Sequence, residues 1–157
     1  MATEPSELLE LLAQIHEHLA SMHALLGEES SSLQTRNADS LQSVTSQKLA
    51  LADRINELTA RQKQLLEASG FSADRDGMEG FLTQCNEESS LNIWQKVLVL
   101  TADCKHRNDI NGAYLALLER YVESTLDILT GSPSMGETYD PKGSKRRGSS
   151  SHRSFTV

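Results

Sequence analysis

The sequence predicts an all-α protein: a long antiparallel helical hairpin plus a third long helix, with a short helical connector and a disordered C-terminal tail. Three observations lead there. Apolar residues recur at alternating steps of three and four along three separate stretches. Asn, Asp, Ser and Gly separate those stretches at positions suited to helix ends. Aromatic residues make up only 4% of the 157-residue chain, with a single Trp. Narrow seams of Leu, Ile, Val and Met between long helices therefore fit better than a broad aromatic core.

The first helix is expected over about residues 5–35. Pro5 suits a first helical turn. Leu8, Leu12, Ile15, Leu19, Met22, Leu26 and Leu33 form one stripe, with Glu29 as its polar break. Leu9, Leu11 and Leu25 widen that stripe as a bundle helix requires. Gly27 and Ser30 to Ser32 weaken the helix, which ends near Gly27 or runs on to Arg36; the longer version is preferred. Asn37-Ala38-Asp39-Ser40 then supplies turn and cap groups. A second helix, about 39–69, carries Leu41, Val44, Lys48, Leu51, Ile55, Leu58, Gln62 and Leu65 on its stripe. Gly70 suits the left-handed position past its end, and the short connection folds it back on the first helix.

Residues 71–86 are less regular, with Gly77 and Gly80 weakening a short helix over about 75–85. Met78, Phe81 and Leu82 give it one turn of apolar contact to cap the hairpin. The third long helix is expected over 88–130, with a stripe of Trp94, Val97, Thr101, Cys104, Asn108, Asn111, Leu115, Leu118, Val122, Thr125 and Leu129. Its middle is polar. Asn108 and Asn111 either fix the register of the seam from within or line a solvated notch; both readings stand on sequence alone. Gly112 is read as a place where another backbone approaches closely. Gly131 and Pro133 stop the helix. Residues 1–131 thus form one helical domain. Residues 132–157, rich in Ser, Gly, Lys and Arg, form a tail that buries too little to offset its ordering entropy.

Charge separates the same two parts. The tail holds five basic side chains (Lys142, Lys145, Arg146, Arg147, Arg153) and two acidic ones, a net +3, leaving −10 on residues 1–131. An acidic body repels phosphate, so no nucleic-acid site is expected there; the basic tail is read as solubilising. The opening residues carry Glu4, Glu7 and Glu10 rather than a basic leader. Apolar runs such as Val97 to Leu100 are too short for a membrane span. Cytoplasmic residence is expected, with Cys85 and Cys104 as free thiols.

No catalytic pattern emerges, and neither an enzyme nor a cofactor is expected. The chain has no phosphate-binding Gly-rich loop and no nucleophile elbow. No two of His16, His18 and His23 lie three or four residues apart, and the only pattern near the di-iron Glu-x-x-His spacing is a single Asp103-x-x-His106. These histidines are read as solvated on a polar face, Cys104 as a small core residue, and Trp94 as core before partner anchor. The anomaly is a surplus of apolar residues. Tyr114, Leu117, Tyr121, Leu126 and Ile128 lie beside the main stripe of the third long helix, so apolar residues wrap much of 114–129. A hairpin covers one face of a helix; the rest must meet another chain.

The pattern resembles the FlgN family of flagellar export chaperones. The residues that carry the likeness are the Leu-rich opening helix, Arg36-Asn37-Ala38-Asp39-Ser40-Leu41, Lys48, and Ile55 to Gly70 with Arg61 and Leu65-Leu66. With them go Asn108-Asp109-Ile110-Asn111-Gly112 and Tyr139-Asp140-Pro141-Lys142-Gly143. The resemblance implies a chaperone that binds the flagellar hook-associated proteins, prevents their premature assembly or degradation, and delivers them to the type III export gate. It implies cargo binding by the C-terminal portion, carried over to Leu115, Leu118, Tyr121, Val122, Thr125, Leu126 and Leu129, and contact with the export gate around Tyr139. The competing reading is a homo-oligomeric coiled-coil adaptor using the same stripes. A homodimer is compatible with either. Polar Lys48, Gln62, Asn108 and Asn111 on the stripes weigh against a long uninterrupted zipper.

Overall fold

The periodic stretches become four helices in the structure, a computed structural model that describes residues 4–131. They are α1 (Glu4–Gln34), α2 (Ala38–Ala68), α3 (Arg75–Cys85) and α4 (Glu88–Thr130). No strand occurs among the described residues. The tail after residue 131, with Tyr139 and the basic stretch Lys142 to Arg153, lies outside them. The chain divides after Ala116 into a first unit, Met1–Ala116, and a second that begins at Leu117.

α1 runs straight through Gly27, because its buried stripe continues on both sides: Leu8, Leu12, Ile15, Leu19, Leu26 and Leu33 are all buried. The serines tolerate the helix by turning back on it, Ser31 to the Gly27 carbonyl and Ser32 to that of Glu28. Closure of α1 is unusual in using no glycine. Arg36 takes the left-handed conformation (φ 53°), which costs an L-residue about 1 kcal/mol or more. In return the Asn37 amide reaches the Ser32 carbonyl at 3.0 Å and the Arg36 amide that of Leu33 at 3.2 Å, satisfying carbonyls that a helix end leaves open. Asn37 then opens α2, its side chain accepting from the Ser40 amide at 3.0 Å. One residue thus ends the first helix and caps the second. A Ser32–Ser40 hydroxyl pair at 2.7 Å pins the turn, and Arg61 meets Glu7 at 2.7 Å at the far end of the antiparallel hairpin.

α2 buries Val44, Leu58, Gln62, Leu65 and Leu66. It ends as its sequence predicts, with Gly70 at φ 84° and the Phe71 amide bonded to the Leu66 carbonyl at 2.9 Å. Phe71 meets Phe81 edge to face, ring centres 5.7 Å apart. α3 starts at Asp74, whose carboxylate accepts from the Ser72 hydroxyl (2.6 Å) and the Gly77 amide (2.8 Å). Those two bonds, the Ser72 one foremost, hold the Asp74 pKa below the usual carboxylate range. Gly77 does more than weaken this helix: a Cβ there would stand 1.9 Å from the Ser72 carbonyl oxygen, so the tight turn into α3 requires glycine. Met78, Phe81 and Leu82 join the core. Gln62, polar on its stripe, points its amide at the Met78 sulfur, 3.7 Å away.

α4 adds Trp94, Val97 and Cys104 to the buried set. Its direction follows from two contacts. The Cys104 thiol lies 3.7 Å from the Leu19 carbonyl, and the Asn111 amide donates to the Leu26 carbonyl at 2.9 Å. Seven residues along α4 match seven along α1, so these stretches are parallel. Burial pushes the Cys104 thiol pKa up. Cys85 and Cys104 are both free thiols. Trp94 is core, as expected.

Several expectations need correction. Thr101 is exposed, its hydroxyl turned back to the Val97 carbonyl, because the polar γ-oxygen is satisfied within its own helix and gains nothing in the seam. His16, His18 and His23 are half-buried rather than fully solvated. Gly112 has nothing within 4 Å of where its Cβ would stand, so no backbone approaches it within the described chain.

Candidate partner-binding face

Two regions of α4 depart from the rule of apolar inside and polar outside, and they adjoin along the helix. The first is a buried polar cluster. Glu29, the polar break in the α1 stripe, is buried. Both of its carboxylate oxygens accept from the Lys48 ammonium at 2.9 Å. Lys48 also donates to the Asn108 side-chain carbonyl at 2.9 Å. The Asn111 amide donates to Glu29 Oε2 at 2.9 Å as well as to the Leu26 carbonyl. Four polar residues from three helices therefore satisfy one another. Asn111 is buried and Asn108 lies at the surface. Asn111 pins the seam from within, while Asn108 meets the cluster at its solvent-exposed edge. Any axial slip of α4 against α1 would part Asn111 from both of its acceptors, so the cluster sets register.

Beyond Asn111 the helix turns outward in character. Among the described residues, eight of the eleven exposed large hydrophobic side chains lie between Tyr114 and Leu129. Of the residues predicted as a binding site, Leu115, Tyr121, Val122, Leu126 and Leu129 are exposed. Leu118 is half-buried, and Thr125 is exposed with its hydroxyl bonded to the Tyr121 carbonyl at 2.8 Å. Steps of three and four place Leu115, Leu118, Val122, Thr125 and Leu129 on one line along the helix. Leu126 borders that line on one side and Tyr121 on the other. The helix brings them together without help from another element.

The site expected from sequence omits three members of this face, Tyr114, Leu117 and Ile128. Leu117 is 60% exposed and Ile128 77%, the highest of all. With Tyr114 and Tyr121 they make a second line, offset by one residue from the first. The signal lies in the same spacing: 114, 117, 121 and 128 repeat the three–four pattern. At 100° per residue the two lines cover roughly half the helix circumference.

The polar remainder is mainly acidic, with Arg120 as its one basic residue. Glu119, Glu123 and Asp127 follow one another at steps of four. Leu118, Glu119, Val122 and Glu123 line a shallow hollow where apolar and acidic surfaces meet. No His, Cys, Asp or Glu side chains gather in threes to hold a metal among the described residues. An exposed apolar face of this extent on one helix is what a partner-binding surface presents. Covering a large apolar side chain fully is worth about 1.5–3 kcal/mol.

No helix among the described residues is long and apolar enough to cross a membrane. No curated protein and no solved structure gives a significant match to the chain. The FlgN protein family model, by contrast, matches residues 1–147, taking in the hairpin, the polar pin and the exposed apolar face alike. The chain therefore belongs to the FlgN family of flagellar export chaperones.

Proposed function

We propose that this chain binds flagellar hook-associated proteins in the cytoplasm, prevents their premature assembly or degradation, and delivers them to the type III export gate. Residues 1–131 serve as the chaperone domain and 132–157 as a tail. The carrying observation is the unpartnered apolar face on α4. Leu115, Leu118, Tyr121, Val122, Thr125, Leu126 and Leu129 take an amphipathic helix of the cargo, whose own apolar stripe would otherwise drive aggregation. Cargo segments that fold on binding lose part of the contact energy to ordering, which keeps the complex reversible at the gate. Tyr139 is the proposed gate contact. The activity needs no catalytic group and no cofactor.

Co-purification with the hook-associated proteins of the same organism tests this. The full chain is expected to capture at least one, and deletion of residues 112–157 to abolish capture. Tyr121→Ala with Leu118→Ala should abolish it too while leaving the far-UV helical signal intact. Undiminished capture by the double variant would move the site elsewhere. The second reading, a homo-oligomeric adaptor, is favoured by the same exposed face, since two copies could cover each other. Sedimentation equilibrium separates the two: a monomer at all concentrations would exclude the adaptor.

A further inference from the structure

The apolar face of α4 has unlike edges. On the Leu126 side, the next line of residues is Glu119, Glu123 and Asp127, each one helical turn from the last. None of these carboxylates forms an ion pair or accepts a hydrogen bond among the described residues. Like charges at this spacing destabilise a helix, and Arg120, the one cation beside the row, forms no ion pair with it among the described residues. The opposite edge carries Leu117, Ser124 and Ile128 and no charge. Between the two surfaces lies the hollow of Leu118, Glu119, Val122 and Glu123. Its apolar floor and paired carboxylates match one kind of side chain. A Lys or Arg lays its methylene stem on an aliphatic surface and keeps its charged head at a polar rim.

We infer that the partner of this face is an amphipathic helix with a basic row along one edge of its apolar stripe. One Lys or Arg of that row seats in the hollow, its stem over Leu118 and Val122 and its cation between Glu119 and Glu123. The inference rests on the reading of α4 as the docking face and adds the charge pattern of the occupant. Apolar contact supplies most of the affinity. The acidic row selects the direction in which the helix lies and rejects stripes with acidic edges, since like charges brought together oppose binding.

The test uses the full chain and two synthetic amphipathic helical peptides with the same Leu stripe, one with Lys and one with Glu along the same edge. Binding is read by fluorescence anisotropy at low and high salt. The Lys-edged peptide is expected to bind about tenfold more tightly at low salt, a modest advantage because these charges are solvent-exposed. The difference should shrink sharply at high salt. Glu119→Gln with Glu123→Gln should remove the preference, and Glu119→Lys with Glu123→Lys should reverse it. Equal affinity for both peptides, or a preference that survives in the Gln double variant, overturns the inference. Capture of hook-associated proteins, run beside it, keeps the two claims apart. Capture by both the native chain and the Gln variant at equal strength sinks the charge pattern and spares the chaperone reading. Absence of capture by the native chain sinks the reading itself.

Discussion

Replacing Glu29 by Ala removes the acceptor on which the polar cluster converges. Lys48 would keep only the Asn108 carbonyl, and Asn111 only the Leu26 carbonyl. The side chains of Glu29 and Lys48 retain 11% and 19% exposure, so the pair sits nearer the buried limit than the surface one. Breaking a fully buried pair costs about 3–5 kcal/mol, and losing an exposed one about 0–1 kcal/mol. A loss of about 2–3 kcal/mol is expected here, reduced only slightly by the better helix propensity of Ala. Urea unfolding followed by far-UV circular dichroism measures it. With a slope of about 1–3 kcal/mol per molar urea, the midpoint should fall by roughly 1 M or more. Lys48→Ala and the Glu29→Ala/Lys48→Ala pair complete a double-mutant cycle. A coupling above about 1 kcal/mol is expected for residues in one network. A Glu29→Ala loss below about 0.5 kcal/mol, with additive single effects, would mean that water replaces the carboxylate freely and that the cluster does not pin the helices.

Two glycines should respond in opposite ways to Ala. Gly77→Ala forces a Cβ onto the Ser72 carbonyl and is expected to lower the urea midpoint clearly, whereas Gly112→Ala meets open space and should stabilise by roughly 1 kcal/mol; a stabilising Gly77→Ala would refute the geometry of the turn into α3. Cys104 should react slowly with thiol reagents in the native state, because burial raises its pKa and limits access. Its raised folded-state pKa contributes stability that is fully present below the unfolded thiol value and is lost as pH rises through the folded one. Comparing native and Cys104→Ala urea midpoints from pH 7 upward should show a steeper alkaline decline for the native chain, and parallel curves would contradict it.

The helices were legible because each stripe is long and keeps its period. Both ends of α2 were legible from Asn37 and Gly70, whose side-chain and backbone chemistry suits helix ends wherever the chain goes next. What the polar residues on the stripes do was not. Glu29, Lys48, Asn108 and Asn111 each read alone as a defect in a seam. Their meeting depends on α4 running parallel to α1 in one register, and no local pattern encodes that. The glycines failed for a related reason. A helical glycine marks either a close neighbour or none, and only the Ser72 carbonyl beside Gly77, against open space at Gly112, tells the two apart. The exposed face was legible as a surplus, since one hairpin cannot cover a helix that is apolar over half its girth. The main stripe of α4, however, passes over Leu117 and Ile128, which lie farthest from its line.

The turn between α1 and α2 has no slack. Asn37 closes one helix and opens the next, so chain length at this point is converted directly into rotation. Each residue added or removed between Gln34 and Ala38 would turn α2 by about 100° about its axis. Val44, Leu58 and Leu65 would then swing away from α1, and Lys48 would swing away from Glu29. The joint thus works as a phase-setter, fixing which face of the second helix is inner along its entire length. The Gly70 to Asp74 connection lies beyond both long arms of the hairpin, where a change in length leaves the two arms in phase with each other. A change of loop length at the α1–α2 turn would accordingly put the two arms out of phase, whereas one between Gly70 and Asp74 would disturb the tight turn into α3 but not the phase of the arms.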